Sequence, residues 1–325
     1  NNVLSNNSGG SGIYFSGFGT VLIDGNTISN GGSGSNAFGI RVGMGLNDVT
    51  ISNNTVEDNS GGGVYVNGGK PYYISDSIMD WASNVIVSDN IVRRNSGTGI
   101  EAVFYLRCTG NIISGNGSGF KGGSSGSYAG SGTFKGNHVL NNNGYGVYVR
   151  GSNAVADNII SGNTGTALYY EAYYDEGGEN HRHQARASQV VSGNIISNNT
   201  GSPVVYFYAR YKIRYGNESY LSSMFPVDHG LDNILNQGET TDGMYIIPNS
   251  DFRNNTVVGN SGSPTIKLRE ITAAEDPGDV HKHSKLVFKD NNIHSNTGTY
   301  DLETTNPLQD VALNIENNYW GTSDA

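Results

Sequence analysis

One short motif recurs along the whole chain: Asn-x-Ile/Val, then a turn of Ser, Gly and Asn, then Gly-x-Gly-Ile/Val-x-Val. Its opening Asn falls at Asn2, Asn26, Asn54, Asn90, Asn111, Asn137, Asn158, Asn194, Asn255 and Asn292. The intervals are 24, 28, 36, 21, 26, 21, 36, 61 and 37 residues, so the minimal unit has 21 residues and longer ones are the same unit with insertions. A period this regular constrains the fold more than any single residue does. The unit is too short for a helix pair. Its apolar residues alternate over a few positions, as in "GVYV" and "VTI", and Gly and Asn turns separate these segments.

Strands this short do not make a stable hairpin alone. Stacked coil on coil, each strand pairs in parallel and in register with its equivalent in the next unit, which makes a β-solenoid. Each coil adds about 4.8 Å along the axis, so ten coils predict a rod roughly 48 Å long. Two inward columns are expected. One holds Ile28, Val56, Val92, Ile113, Val139, Ile160, Ile196 and Val257; the other holds Ile13, Ile40, Val64, Ile100, Phe120, Val147, Leu168 and Val204. Each buried side chain of this kind contributes about 1.5–3 kcal/mol. The repeating Asn is expected to stack as well, its amide bonding the turns above and below.

Composition narrows the class further. Only 15% of the 325 residues are charged and β-branched residues are frequent, so the 47 Gly serve tight turns rather than disorder. A net charge of −10 argues against a nucleic-acid partner, which selects a basic face. No run of 18 apolar residues exists, so no helical membrane span is expected. The single cysteine, Cys108, cannot staple the fold and reads as a small buried apolar residue. The chain starts within a repeat, which reads as a piece of a longer secreted protein, monomeric as excised.

The repeat resembles that of right-handed parallel β-helix proteins, a group that includes pectate-lyase-like enzymes, alginate epimerases and lyases, and NosD-like periplasmic proteins. The resemblance covers nearly the whole chain. The closing "IENNYWGTSDA" (315–325) looks like their terminal coil, which implies that Trp320 folds over the open core end. The resemblance implies an all-β, right-handed parallel β-helix of about ten coils, one domain over 1–325, extracellular or at the cell surface, acting on a polysaccharide. The fold hosts many activities, so function has to come from a site.

Four coils carry long insertions after the Gly-x-Gly strand: 67–84, 171–188, 208–247 and 269–285. All leave the same place in the repeat, so they should crowd one edge of the rod. The coils of Asn90, Asn111 and Asn137 lack them and would form the floor of a cleft. By alternation, Tyr14, Arg41, Tyr65, Glu101, Lys121, Tyr148 and Tyr169 point outward from this floor, with Arg150 and Glu171 two positions on. Aromatic rings with interleaved charges suit a sugar chain. The substrate-binding candidates are Tyr65, Trp81, Tyr148, Arg150, Tyr169, Tyr173 and Tyr208. The catalytic candidates are Glu101, Lys121, Glu171, Asp175, His181 and Arg210. The plainer alternative is a solvated face on which Glu101 and Lys121 pair.

Three reactions fit such a cleft. A lyase needs a base and a cation to neutralise a uronate carboxylate, and Lys121, Arg150, Arg210 or His181 could serve. Ca²⁺ is the candidate cofactor, although "YYDEGGEN" and "AAEDPGD" lack the regular spacing of a calcium loop. A glycosidase needs two carboxyls about 5–9.5 Å apart. Glu101 and Glu171 lie three coils, about 14 Å, apart, so Asp175 or Glu179 would have to meet Glu101. An epimerase returns the proton, but "VDHG" (227–230) only faintly echoes the Asp-Pro-His-Asp motif of alginate epimerases and is not carried over. "HRH" (181–183) and "HKH" (281–283) lack the further ligands of a metal site. The non-enzymatic alternative is a carbohydrate-binding, adhesion or structural rod.

Overall fold

The structure is a computed structural model that describes residues 1–17, 19–32, 37–43, 46–67, 72–75, 78–80, 84–103, 106–123, 132–150, 153–175, 189–212, 250–270, 286–305 and 315–321. Among these residues there are 32 strands and no helix. Thirty strands form three parallel sheets of eleven, ten and nine strands, and each turn of the chain visits the three in the same order. The remaining two, Tyr72–Ser75 and Ile78–Asp80, form an antiparallel hairpin within the first insertion. The chain is a right-handed parallel β-helix. Eleven rungs in the longest sheet span ten intervals, roughly 48 Å at about 4.8 Å per rung.

The first expected column is present throughout. Ile28 pairs in register with Val56, and the succession runs through Val92, Ile113, Val139, Ile160 and Ile196 to Val257. All are fully buried. The second column holds from Ile13 to Leu168, but the next rung is Val205, not Val204. Six positions separate Asn199 from Val205 where five separate Asn163 from Leu168. The longer turn holds Ser202 and Pro203, and it displaces the strand by one residue. Val204 is buried too, but beside the column.

The asparagines form a continuous ladder. The backbone N–H and the side-chain amide of each donate to Oδ1 of the next, from Asn2 through Asn26, Asn54, Asn90, Asn111, Asn137, Asn158, Asn194 and Asn255. It then continues to Asn291 and Asn318. The expected rung at Asn292 is thus one residue late: Asn292 lies in the strand, and the residue two before the inward Ile293 is Asn291. A second ladder, Asn59, Asn95, Asn116, Asn142, Asn163, Asn199, Asn260 and Asn296, runs along the next corner. From Asn54 and Asn95 onward, the ladder amides also donate to a carbonyl of the coil below, as from Asn111 to Val87 at 2.9 Å. Buried corners cannot leave such groups unpaired, so the repeat keeps Asn there.

The doublets before the ladder have a backbone cause. The residue ahead of each ladder Asn turns the corner in the left-handed region, as at Asn53 (φ 55), Asp89 (φ 56) and Gly110 (φ 67). Asn, Asp and Gly, which tolerate it best, hold most of these corners, and Arg94 (φ 54) and Ser295 (φ 55) hold two in the second ladder.

The core changes character along the rod. Val and Ile dominate the first coils, while Tyr170 stacks on Phe207 and Phe252 on Phe288 in the last ones. Trp320 pairs in register with Ile293, and its ring lies 6.1 Å from that of Phe288. It continues the inward column and the aromatic stack by one more rung, as the resemblance implied. Cys108 is fully buried between Val87 and Phe134, and burial pushes its thiol pKa far up.

Candidate functional site

The ten-stranded sheet carries the candidate site on its outer face. Register pairing aligns Tyr14, Arg41, Tyr65, Glu101, Lys121, Tyr148 and Tyr169 in one outward row, as alternation predicted. The row continues through Tyr206 and Lys267 to Glu303. Arg150 and Glu171 pair in register two positions further along their strands.

The four long insertions all connect the ten-stranded to the nine-stranded sheet, so they leave from one edge. Between them, the coil of Asn90 makes the same crossing in residues 103–105 and that of Asn137 in 151–152. The coil of Asn111 spends nine residues, 123–131, a longer crossing than expected. The strands of Glu101, Lys121 and Tyr148 therefore lie between strands that lead into the insertions.

The row's charges are compensated locally. Lys121 Nζ lies 2.7 Å from Glu101 Oε1, the pairing that the plainer reading anticipated. Burial lowers the Lys121 pKa, but the hydrogen bond to Glu101 and that group's charge outweigh it, so the net shift is upward. Arg150 Nε lies 3.3 Å from Glu171 Oε1, and both side chains are largely buried although they sit on the outer face. Lys267 Nζ and Glu303 Oε1 are 2.8 Å apart. The Arg41 guanidinium lies 5.8 Å from the Tyr14 ring and 5.4 Å from the Tyr65 ring.

The tyrosines are more ordered than alternation alone required. Tyr148 and Tyr169 stack with centroids 4.6 Å apart and planes 12° apart. Tyr145 tilts against Tyr148 at 5.8 Å and Tyr206 against Tyr169 at 5.0 Å. Rings stacked at nearly the rung spacing face each other along the axis. They offer a ligand their edges and hydroxyls, and the faces that would stack on sugar are turned toward neighbours. Tyr148 Oη donates to Glu171 Oε2 at 3.5 Å. Burial, followed by the Glu171 charge, raises the Tyr148 phenol pKa. Burial and then Glu101 raise that of Tyr65.

Thus Glu101, Lys121, Tyr65, Tyr148, Arg150, Tyr169 and Glu171 share one face. Glu101 and Glu171 stand three rungs apart, too far to act as one carboxylate pair. Tyr173 pairs in register with Arg210, Glu171 with Tyr208 and Asp175 with Lys212, where two eight-residue strands, Leu168–Asp175 and Val205–Lys212, run past the rest of the sheet. His181 and Trp81 lie outside the described residues, as do both His pairs and the Asp276–Asp279 acids. Among the described residues, no three His, Cys, Asp or Glu side chains come together to hold a metal ion. A small recess lined by Ala102, Leu106, Phe120, Gly122, Gly123, Thr133 and Phe134 lies at the sheet corner and contains none of the charged row.

Two members of the aromatic row were not predicted from sequence. Tyr206 was hidden by the one-residue slip at Val204, and "VVYF" was the available signal. Tyr145 sits in the turn of "NGYGVYV", where alternation says nothing; its hydroxyl lies 3.4 Å from Thr98 Oγ1.

A family model described as a right handed beta helix region matches residues 1–129. Among solved structures, the chain is similar to the A-module of mannuronan C-5 epimerase AlgE6 from Azotobacter vinelandii, with 14% identity and a TM-score of 0.38. That alignment covers 96% of this chain and 91% of the other. No curated protein matches the chain. No described helix is long and apolar enough to cross a membrane.

Proposed function

We propose that this chain is an extracellular or cell-surface polysaccharide-recognition protein that lays a glycan along the outer face of its ten-stranded sheet. One observation carries the reading: Tyr148, Tyr169 and Tyr206 stand on successive rungs as a continuous row along the rod axis, with Tyr145 against Tyr148 and ion pairs at its edge. Phenol edges at rung spacing, with fixed carboxylates beside them, suit a repeating ligand rich in hydroxyls. A protein partner would not need a regular array.

Cleavage of the glycan is the second reading, and the Arg150–Glu171–Tyr148 cluster favours it. Glu171 is 7% exposed on an outward-facing position, held between a guanidinium and a phenol. Burial of ionisable groups on a surface is frequent at reaction centres. With its phenol pKa raised, Tyr148 keeps its proton at neutral pH and acts as a donor. A partner acid for hydrolysis would come from the insertions, since Glu101 is about 14 Å away.

The test is a panel of soluble polysaccharides, acidic and neutral, with and without Ca²⁺. Retention, reducing ends and unsaturated products are recorded together. Retention that Tyr169→Ala weakens establishes recognition on this face. Reducing ends abolished by Glu171→Gln add hydrolysis; unsaturated products would instead establish a lyase. Lack of both retention and turnover on every glycan removes the reading.

A further inference from the structure

We infer that two copies of this chain associate through the outer face of the eleven-stranded sheet, about a two-fold axis along the strand His138–Leu140. Among the described residues ten large apolar side chains are exposed. Five of them, Val3, Ile91, Ile112, Ile195 and Tyr319, stand in one outward row of this sheet. Apolar groups scattered singly over a surface are ordinary, whereas a line of them marks a contact surface.

The row reads the same in both directions from its middle. Ile112 and Ile159 stand one rung from His138, Ile91 and Ile195 two rungs, and Thr55 and Thr256 three. The second outward row is centred on Leu140, with Ser114 and Ser161 on either side. A two-fold contact needs a surface complementary to its own reverse, and this one has it. Rotation about the axis sets Ile112 against Ile159 of the second copy, and Ile91 against its Ile195. The face also escapes the repulsion expected between two chains of net charge −10. Its one acid and one base, Glu57 and Arg93, lie 2.6 Å apart, and the rotation opposes them to Val258 and Ser197 of the second copy. Ten rung intervals of about 4.8 Å and a width of about 10 Å give about 480 Å² per copy, or about 1,000 Å² in all, the low end for a specific contact. The dimer is therefore reversible. The tyrosine row lies on a different sheet, so a dimer presents two such faces.

Sedimentation velocity of the whole chain over about 1–200 μM tests this. A concentration-dependent monomer–dimer equilibrium is the expected result. Ile112→Lys and Ile159→Glu, each with native circular dichroism, should each weaken association about tenfold or more, because a charge then meets an apolar side chain. Combined, they should associate more tightly than either alone, since the two positions face each other across the axis. Within one chain they stand two rungs apart with His138 between them, so the recovery is intermolecular. Ile112→Thr with Ile195→Thr introduces a residue that the row already carries at Thr55 and Thr256, and should weaken association with the fold intact. A chain that stays monomeric throughout, single variants that associate like the parent, or a combined variant no tighter than the single ones overturns the inference.

Discussion

Replacing Asn111 with Ala cuts one rung from the buried amide ladder while leaving every apolar contact column intact. Asn111 is fully buried. Its Oδ1 accepts from the Asn90 backbone N–H at 3.0 Å and from the Asn90 amide at 3.0 Å. Its Nδ2 donates to the carbonyls of Val87 at 2.9 Å and Thr109 at 3.1 Å, and to Asn137 Oδ1 at 2.9 Å. After the substitution, Asn137 Oδ1 keeps the residue-111 backbone N–H, and the Asn90 amide keeps the carbonyls of Ile51 and Ser88. The stranded group is the Asn90 backbone N–H. An orphaned buried donor costs about 1–3 kcal/mol and each further lost hydrogen bond about 0.5–1.5 kcal/mol. With partial relaxation, the expected loss is about 3–5 kcal/mol. Asn143→Ala, at an exposed position, should cost about 0.5 kcal/mol or less. Urea titration gives the global cost. Because coils interact with nearest neighbours, hydrogen exchange should show lost protection centred on the Asn90 and Asn111 coils. A cost under about 1 kcal/mol, or protection lost evenly along the rod, would refute the view that the ladder is a chain of individually needed bonds.

Other expectations follow from the same geometry. Glu101→Gln frees Lys121 from its counter-charge, so this variant should show more salt-sensitive retention on polygalacturonate than the parent; equal migration of the two shows that the pair does not gate charge selectivity. Tyr65 and Tyr148 have folded-state pKa values raised above the ordinary 10.0, so their neutral forms favour the folded state. That contribution is complete below about pH 10 and is lost as pH rises through the folded values. Alkaline difference absorbance should therefore show late-titrating tyrosines, and Tyr148→Phe should remove one. Asp58 has its carboxyl held low by the hydrogen bond from Arg94, so its contribution is present above the unfolded value and lost as pH falls through the folded one. Urea midpoints between pH 2 and 5 should fall less steeply in Asp58→Asn. Cys108 should resist thiol reagents in the folded state and react fully in denaturant; prompt native labelling would contradict its burial.

The outward row was readable because a strand has a period of two and a parallel stack has no freedom of register once one column is buried. Knowing that Val64, Ile100, Phe120 and Val147 point in is enough to place Tyr65, Glu101, Lys121 and Tyr148 out. Reading failed where the coil length changed. The longer turn at Ser202 and Pro203 shifted Val205 into the column, and "DNNIH" offered two asparagines of which only Asn291 precedes the inward residue by two.

The sequence by itself determined the β-helix, its inward columns, its asparagine stacking and the edge from which the insertions depart. All are consequences of a repeat whose every copy must bury the same face and satisfy the same corner. Only the tertiary structure decided how the outward side chains meet. Whether Lys121 faces a ligand or Glu101, and whether Tyr148 and Tyr169 present faces or edges, depends on side-chain rotamers between rungs that are 20 or more residues apart in the chain. No local rule couples such positions. The compensated charges and the self-stacked rings arise from that coupling.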